Sequence, residues 1–170
     1  DYNLTATYEL CQPNSYEFYG ENLTATGVYT RTVQTIYGAD STTTLTLQAH
    51  PAPTAYIYVN GQRTNGAIDA FCDNADLVMT ARSTIEGSTY KWDDNSTAAV
   101  RTVNPHENAN YTVTAYDPVY GCASNPVDLA VTTTPVPVLS IEVSQDAICA
   151  GASSTLTVND ANNTGCTYQW

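Results

Sequence analysis

The chain has 170 residues, 42% of them hydrophobic, which is enough for one large or two small packed domains. It carries 17 acidic and only 5 basic residues, for a net charge of −12. This charge repels nucleic-acid phosphates and anionic membranes, so it argues against nucleic-acid binding. No apolar run approaches the roughly 18 residues of a membrane-spanning helix, and we therefore expect no direct membrane span.

The residue composition favours β-structure. The aromatic residues comprise 13 Tyr against 2 Phe and 2 Trp, and the chain is rich in Thr. Tyr and β-branched residues suit a pleated, half-exposed surface. Apolar and polar residues alternate over short runs separated by turn residues, and no run of useful length has the 3.6-residue period of a helix. We predict an all-β protein.

Two proline-containing breaks divide the pattern. Pro51-Ala-Pro53 and Pro135-Val-Pro137 are stiff segments that suit domain boundaries. We expect residues 1–52 to form a β-rich repeat that is incomplete at its N terminus. The strands predicted within it are residues 2–10, 15–20, 27–33, 36–41 and 43–47.

The segment 53–135 contains a full set of strands. About seven short strands within roughly 80 residues are typical of an immunoglobulin-like sandwich. We predict Trp92 and Tyr111 as its core anchors, because Tyr111 lies on the apolar face of an alternating run. The predicted strands are residues 55–59, 75–81, 88–92, 98–103, 110–116 and 126–131.

The pattern restarts after the second break. Cys149 precedes Thr-Tyr-Gln-Trp (167–170) much as Cys72 precedes Thr-Tyr-Lys-Trp (89–92). We therefore expect residues 136–170 to be the first half of a further, truncated immunoglobulin-like repeat. The predicted fold is a tandem array of such sandwiches with incomplete first and last units.

Short motifs in the second and third units point to a repeat family. They are Cys149-Ala-Gly151, Tyr168-Gln-Trp170, the run 110–116 and Gly121-Cys122. They resemble the immunoglobulin-like and gliding-motility adhesin-like repeats of large secreted surface proteins of Bacteroidetes bacteria. The resemblance implies an extracellular, non-catalytic segment of a cell-surface protein.

The first unit resembles a companion repeat of the same proteins. The matching stretches are Tyr16-Glu-Phe-Tyr-Gly20, Gly27-Val-Tyr-Thr-Arg-Thr32 and Gly38-Ala-Asp-Ser41. The chain departs from that repeat at Ala39, where the family has Cys, and this leaves Cys11 without its expected mate. Asp40-Ser41-Thr42 matches the O-glycosylation motif used by these bacteria, which makes Ser41 a candidate modification site and the protein a candidate glycoprotein.

The five cysteines suit disulfides in an oxidising compartment, since none forms a Cys-x-x-Cys pair for zinc. One scheme joins Cys72 to Cys122 within the second unit. Its difficulty is that the two residues fall near opposite ends of a sandwich, about 20 Å apart at about 3.3 Å per residue. Head-to-tail stacking instead pairs Cys11 with Cys122 and Cys72 with Cys166. Both schemes stay open at this point.

Candidate binding and catalytic residues are few. Asp93, Asp94 and Asn95 are weak Ca²⁺ candidates, and turn chemistry explains the same residue types. Neither His50 nor His106 adjoins a nucleophile motif, so we expect no enzyme activity and no cofactor other than Ca²⁺. Exposed tyrosines suit stacking on sugar rings, although cross-strand packing explains them equally. They are Tyr56, Tyr58, Tyr116 and Tyr120.

The sequence thus predicts a stalk or adhesin segment at the cell surface. Its expected partners are neighbouring repeats of the same chain, together with glycans or other surface proteins. The alternative is a carbohydrate-binding or spacer module of a secreted hydrolase.

Overall fold

The computed structural model describes residues 2–73, 75–162, 167 and 169, and its regular structure is entirely β. We call the sheets of residues 2–50, 55–134 and 139–160 the first, second and third units. No strand pairing among the described residues crosses the segments 51–54 and 135–138, which contain the two proline breaks. The described residues include no helix long and apolar enough to cross a bilayer.

The first unit is a three-stranded sheet with a small hairpin. Its strands are β1 (Tyr2–Cys11), β2 (Tyr16–Phe18), β3 (Glu21–Leu23), β4 (Gly27–Gln34) and β5 (Asp40–His50). The sheet order is β1-β5-β4, in which β5 runs parallel to β1 and antiparallel to β4, while β2 and β3 form the hairpin. The hairpin and sheet share a core of Leu10, Leu23, Leu45 and Leu47.

Turns shorten the predicted strand 15–20 to β2 and replace most of the predicted strand 36–41. The run 15–20 is interrupted at Tyr19 and Gly20, whose φ values of 49° and 85° reverse the chain between β2 and β3. The run 36–41 is mostly a turn, in which the Gly38 amide donates to the Thr35 carbonyl at 2.9 Å. Gly38 has a φ of 78°, which glycine adopts without steric cost.

The second unit is a two-layer sandwich. Its strands are β6 (Ala55–Val59), β7 (Gln62–Arg63), β8 (Ala67–Cys72), β9 (Leu77–Ser83), β10 (Thr89–Trp92), β11 (Val100–Val103), β12 (Ala109–Tyr116) and β13 (Val127–Thr134). One sheet has the order β10-β12-β13-β8 and the other β11-β9-β6-β7. This arrangement is immunoglobulin-like, and the predicted fold class is confirmed.

Strand β8 was not predicted from the sequence, because buried and exposed positions do not alternate regularly along it. Ile68 and Phe71 both pack against the core although they are three residues apart. Ala70 between them has a φ of 55°, and the pairing with β13 shifts register between Val131 and Thr133. This irregularity hides the period of two that identifies a strand.

The sandwich core forms around Trp92. This side chain is 2% exposed, and its indole Nε1–H donates to the Ala98 carbonyl at 2.9 Å. Tyr111 lies in the same cluster, so both predicted anchors are core residues. Burial raises the pKa of Tyr111, because the charged phenolate would be desolvated there.

The third unit is a hairpin of β14 (Leu139–Val143) and β15 (Leu156–Asp160). Leu139, Ile141 and Leu156 are exposed on it. Of the predicted strand 167–170, only residues 167 and 169 are described, and neither lies in a strand. The proposed domain boundaries stay predictions.

Candidate functional site

The junction between the first and second units is the candidate site. The ends of β1 and β5 meet the turn 117–124 between β12 and β13, and a disulfide joins Cys11 to Cys122 there. The two Cα atoms lie 5.3 Å apart, within the usual range for a disulfide. Cys122 is fully buried and Cys11 is half-buried, so the bond is part of the packed junction.

The prediction that Cys72 pairs with Cys122 is wrong. Cys72 ends β8 beside Thr134, whereas Cys122 precedes the start of β13 at Val127. The strand between these two points spans about 23 Å at about 3.3 Å per residue, which is far beyond disulfide reach. Cys72 is exposed, and it pairs with no other cysteine among the residues that the structure describes. The alternative mate, Cys166, lies outside the described residues, and the pairing of Cys72 with it stays a prediction.

An aromatic contact reinforces the disulfide. The His50 and Tyr120 rings stack with centroids 3.5 Å apart and planes inclined by 14°. His50 is the register partner of Cys11, and Tyr120 lies two residues before Cys122. The covalent bond and the stack therefore lie side by side across the same junction and restrain rotation about it.

The imidazole of His50 is also largely buried and lies near Glu9. Its side chain is 14% exposed, and Nε2 lies 3.9 Å from a carboxylate oxygen of Glu9, too far for a hydrogen bond. Nε2 is buried without a hydrogen-bond partner. Stacking on Tyr120 therefore helps to hold the ring, with the Glu9 carboxylate near its Nε2.

Asp117 shapes the turn that carries Tyr120 and Cys122. Its carboxylate Oδ1 accepts the backbone N–H groups of Val119 at 2.7 Å and of Tyr120 at 3.0 Å. Its backbone N–H donates to the Cys122 carbonyl at 2.8 Å. Asp117 is buried, so these bonds satisfy a carboxylate that would otherwise be costly to desolvate. The residue was not predicted, although an Asp opening a Gly-containing turn is a recognisable signal.

We expect Asp117→Ala to lower the free energy of unfolding by about 1–3 kcal/mol, because two backbone donors lose their acceptor. Urea unfolding followed by circular dichroism measures this change. The matched control is Val119→Ala in the same turn, where the side chain is 76% exposed and only the backbone is used. Equal effects of the two variants would contradict the role assigned to the carboxylate.

The carboxylates of the acidic turn after β10, Asp93 and Asp94, form hydrogen bonds and ion pairs within the protein. Asp93 binds Arg101 and accepts the Thr112 backbone N–H at 3.2 Å. Asp94 lies 3.2 Å from the Arg101 guanidinium and accepts the Ser96 backbone N–H at 2.9 Å. The φ of Asn95 is 66°, which Asn tolerates in a tight turn.

These contacts shift the pKa of one carboxyl group in this turn, that of Asp94. The nearby Ser96 hydroxyl, then the Ser96 backbone N–H and the charge of Arg101, lower the pKa of Asp94. Ser96 Oγ makes no regular hydrogen bond, so we assign most of this effect to the backbone N–H. No cluster of three or more His, Cys, Asp or Glu with metal-binding geometry occurs among the described residues. Calcium binding at this turn stays a prediction.

Three of the four candidate sugar-stacking tyrosines have another side chain at one ring face, although Tyr120 remains 48% exposed. The Arg63 guanidinium lies 3.9 Å above the Tyr56 ring, and Arg82 lies 5.3 Å from the Tyr58 ring. Tyr120 stacks on His50, as described above. The fourth, Tyr116, is half-buried at the end of β12. These contacts favour a structural role for the tyrosines.

The other predicted residues lie apart from the junction. Ser41 is half-buried in β5, between its partners Tyr2 and Val33, and its glycosylation stays a prediction. His106 is exposed, with Nδ1 3.8 Å from an Asp73 carboxylate oxygen. From the sequence, His50 was weighed only as a catalytic residue. Its structural role, stacking on Tyr120, depends on how the first and second units pack together.

Comparison with solved structures finds low similarity to immunoglobulin-domain proteins. Murine CEACAM1b matches with a TM-score of 0.28 and 17% identity, over 62% of this chain and 58% of that one. Four-domain structures of Dscam1 isoforms 6.9 and 4.4 match with TM-scores of 0.31 and 0.28 and 11% identity. They cover 72% and 74% of this chain and 32% of each Dscam1 chain. Our assignment of the fold rests on the strand order, not on these scores.

No model of a protein family matches the chain. No curated protein is similar enough to match either.

Proposed function

We propose that this chain is a non-catalytic segment of a bacterial cell-surface protein and acts as a stiff stalk or adhesive repeat outside the cell. The observation that carries the proposal is the junction between the first two units. Each of these units has a core of its own, and a disulfide together with a ring stack joins them. Because the two units are fixed to one another, they transmit force along the chain and keep a constant orientation relative to each other.

The chemistry of the chain supports an extracellular setting. A disulfide persists in oxidising compartments and is rare in the reducing cytosol. The net charge of −12 keeps such a surface soluble and discourages association between copies. The resemblance of the repeat motifs to secreted surface proteins of Bacteroidetes bacteria agrees with this setting.

Single-molecule energy transfer tests the stiffness of the junction. Dyes attached through unnatural amino acids at Ile36 and Val100, both exposed, report the distance between the first and second units. We expect one narrow distribution for the oxidised chain. A Cys11→Ala/Cys122→Ala/Tyr120→Ala variant should give a broad distribution, because both connections are removed. Equal widths would overturn the stalk interpretation.

A glycan array tests the alternative of a carbohydrate-binding module. The proposal expects no binding by the oxidised chain. Specific binding to one sugar class that is lost in Tyr56→Ala or Tyr58→Ala would overturn the stalk interpretation in favour of sugar recognition. Lys91→Ala is the matched control, since it changes an exposed side chain of another strand in the same unit.

A further inference from the structure

The outer face of the first unit's sheet is an ordered array of threonines. Strands β1, β5 and β4 lie side by side, and the core of the unit uses the face that carries Leu45 and Leu47. Because successive side chains point to opposite faces of a strand, the residues between them lie on the other face. Its middle row is Thr5-Thr44-Thr30. The rows on either side are Asn3-Thr42-Thr32 and Thr7-Thr46-Val28. We call these three rows the threonine face.

The threonine face repeats at fixed spacings. Neighbouring strands of a sheet lie about 4.7–4.9 Å apart, and alternate residues of one strand lie about 6.6–6.8 Å apart. The pairing of β5 with β1 and with β4 runs along the whole of both outer strands without a shift in register, so the rows stay in line. Threonine is also stiff about χ1, which leaves each hydroxyl and methyl group few alternative positions.

The hydroxyl groups of this face are open to an outside ligand. The threonines of the two outer strands are exposed, and those of the central strand β5 are half-buried between them. One hydrogen bond joins two of the hydroxyls, with Thr32 Oγ1 3.1 Å from Thr42 Oγ1. The other threonine hydroxyls of the face have no hydrogen-bond partner among the described residues.

The threonine face carries no charged side chain, although the chain has a net charge of −12. In the second unit, β13 pairs parallel with β8 and antiparallel with β12, as β5 does with β1 and β4. The outer face of that sheet includes Lys91 and Asp128, and the Thr112 hydroxyl donates to the Asp128 carboxylate at 2.6 Å. The preference of strands for threonine therefore does not by itself produce an uncharged array.

The chemistry of the threonine face limits the kind of ligand that it fits. A charged ligand would find no opposite charge on it, and a second copy of the chain would bring the same net charge of −12. Protein interfaces depend mostly on Trp, Tyr and Arg, whereas Thr and Val contribute little. Sugar rings stack on aromatic side chains. The threonine face contains no aromatic or basic residue, so an uncharged ligand without these needs fits it best.

A rigid array of hydroxyl and methyl groups suits a crystal surface that repeats on the same scale. The two spacings of the threonine face are close to the oxygen repeats on the prism face of hexagonal ice. Water molecules bound by hydroxyls at these points lie near the lattice positions of the crystal, and the methyl groups exclude water from the spaces between them. Because the side chains are already ordered, binding costs them little conformational entropy.

We propose that the threonine face binds ice. Its hydroxyl groups exchange hydrogen bonds with water molecules of the crystal surface, and Thr44 lies at the centre of the contact. The inference rests on the arrangement of this face and not on the proposed function. It gives the first unit a ligand of its own, while the second unit keeps a charged outer face.

Ice affinity of the oxidised 170-residue chain tests the proposal. The chain is labelled with a fluorescent dye at its N terminus and mixed with labelled serum albumin, and an ice hemisphere is grown slowly from the solution. We expect the chain to be enriched in the ice relative to albumin. Single ice crystals grown in a solution of the chain should develop flat facets, whereas crystals in buffer remain round discs.

Two pairs of variants locate the binding surface. Thr44→Tyr places a ring above the centre of the array, so enrichment and facets should be lost. Its matched control is Thr114→Tyr, at a half-buried outer position of an inner strand in the second unit, which should keep both. Thr30→Lys puts a charge on the edge strand β4 and should also lose both. Its control is Thr89→Lys, exposed on the edge strand β10. Circular dichroism establishes that each variant is folded, and edge strands tolerate lysine well.

Several results would overturn the proposal. They are round crystals without enrichment of the parent chain, loss of ice binding in either control, or its retention in folded Thr44→Tyr and Thr30→Lys. Sedimentation with microcrystalline chitin and cellulose provides a further outcome. Binding to either solid that Thr44→Tyr removes, without binding to ice, would assign the face to a crystalline polysaccharide and overturn the proposal.

Discussion

Replacing Trp92 by alanine is expected to lower the free energy of unfolding of the second unit by about 3–5 kcal/mol. The side chain is a large, buried member of the core cluster of the sandwich, and its removal leaves a cavity that the strands close only in part. The variant also leaves the Ala98 carbonyl without the indole donor. Urea unfolding followed by far-ultraviolet circular dichroism measures the change.

The matched control for Trp92→Ala is Lys91→Ala. Lys91 is the preceding residue of β10 and its side chain is exposed, so this change should stay within about 0.5 kcal/mol. If Trp92→Ala were as mild as Lys91→Ala, Trp92 would not be the anchor of the sandwich.

Removing the junction disulfide is expected to cost on the order of 4–5 kcal/mol in the chain-entropy account of such bonds. Cys11 and Cys122 are 111 residues apart, and the loop that they close contains most of the second unit. Without the bond, the unfolded chain has a higher conformational entropy, because its loop is no longer closed. The measurement compares urea unfolding of the oxidised chain with that of a Cys11→Ala/Cys122→Ala variant.

A control separates this bond from the effect of removing cysteines in general. Cys149 is exposed and pairs with no cysteine among the described residues, so Cys149→Ala should change the unfolding midpoint little. An unfolding midpoint of the double variant that equals that of the parent chain would show that the bond does not stabilise the second unit.

Local pattern was sufficient for most of the second unit. In the run 55–59, Tyr alternates with aliphatic residues and Asn60-Gly61 follows, and β6 has these same bounds. The alternation around Tyr111 likewise places it in the core. Both features depend on neighbours in the chain, because a strand with one buried face must repeat every second residue. Where a bulge broke that period, as at Ala70, the strand was missed.

The junction depended on information that no local pattern contains. Sequence reasoning left two schemes for Cys122 open, because either mate is far away along the chain and strand ends are uncertain by several residues. The stacking of His50 on Tyr120 and the place of Asp117 in the turn were likewise not predicted from the sequence. Each becomes evident only when the end of one unit is laid against the end of the next.

The amino-acid sequence by itself determined that the chain is all-β, where most strands of the second unit run and that Trp92 and Tyr111 belong to its core, since these follow from composition and from a period of two. The tertiary structure decided which cysteines meet and how the first two units are joined. A disulfide needs two Cα atoms within about 7 Å, and that distance is set by how whole units stack.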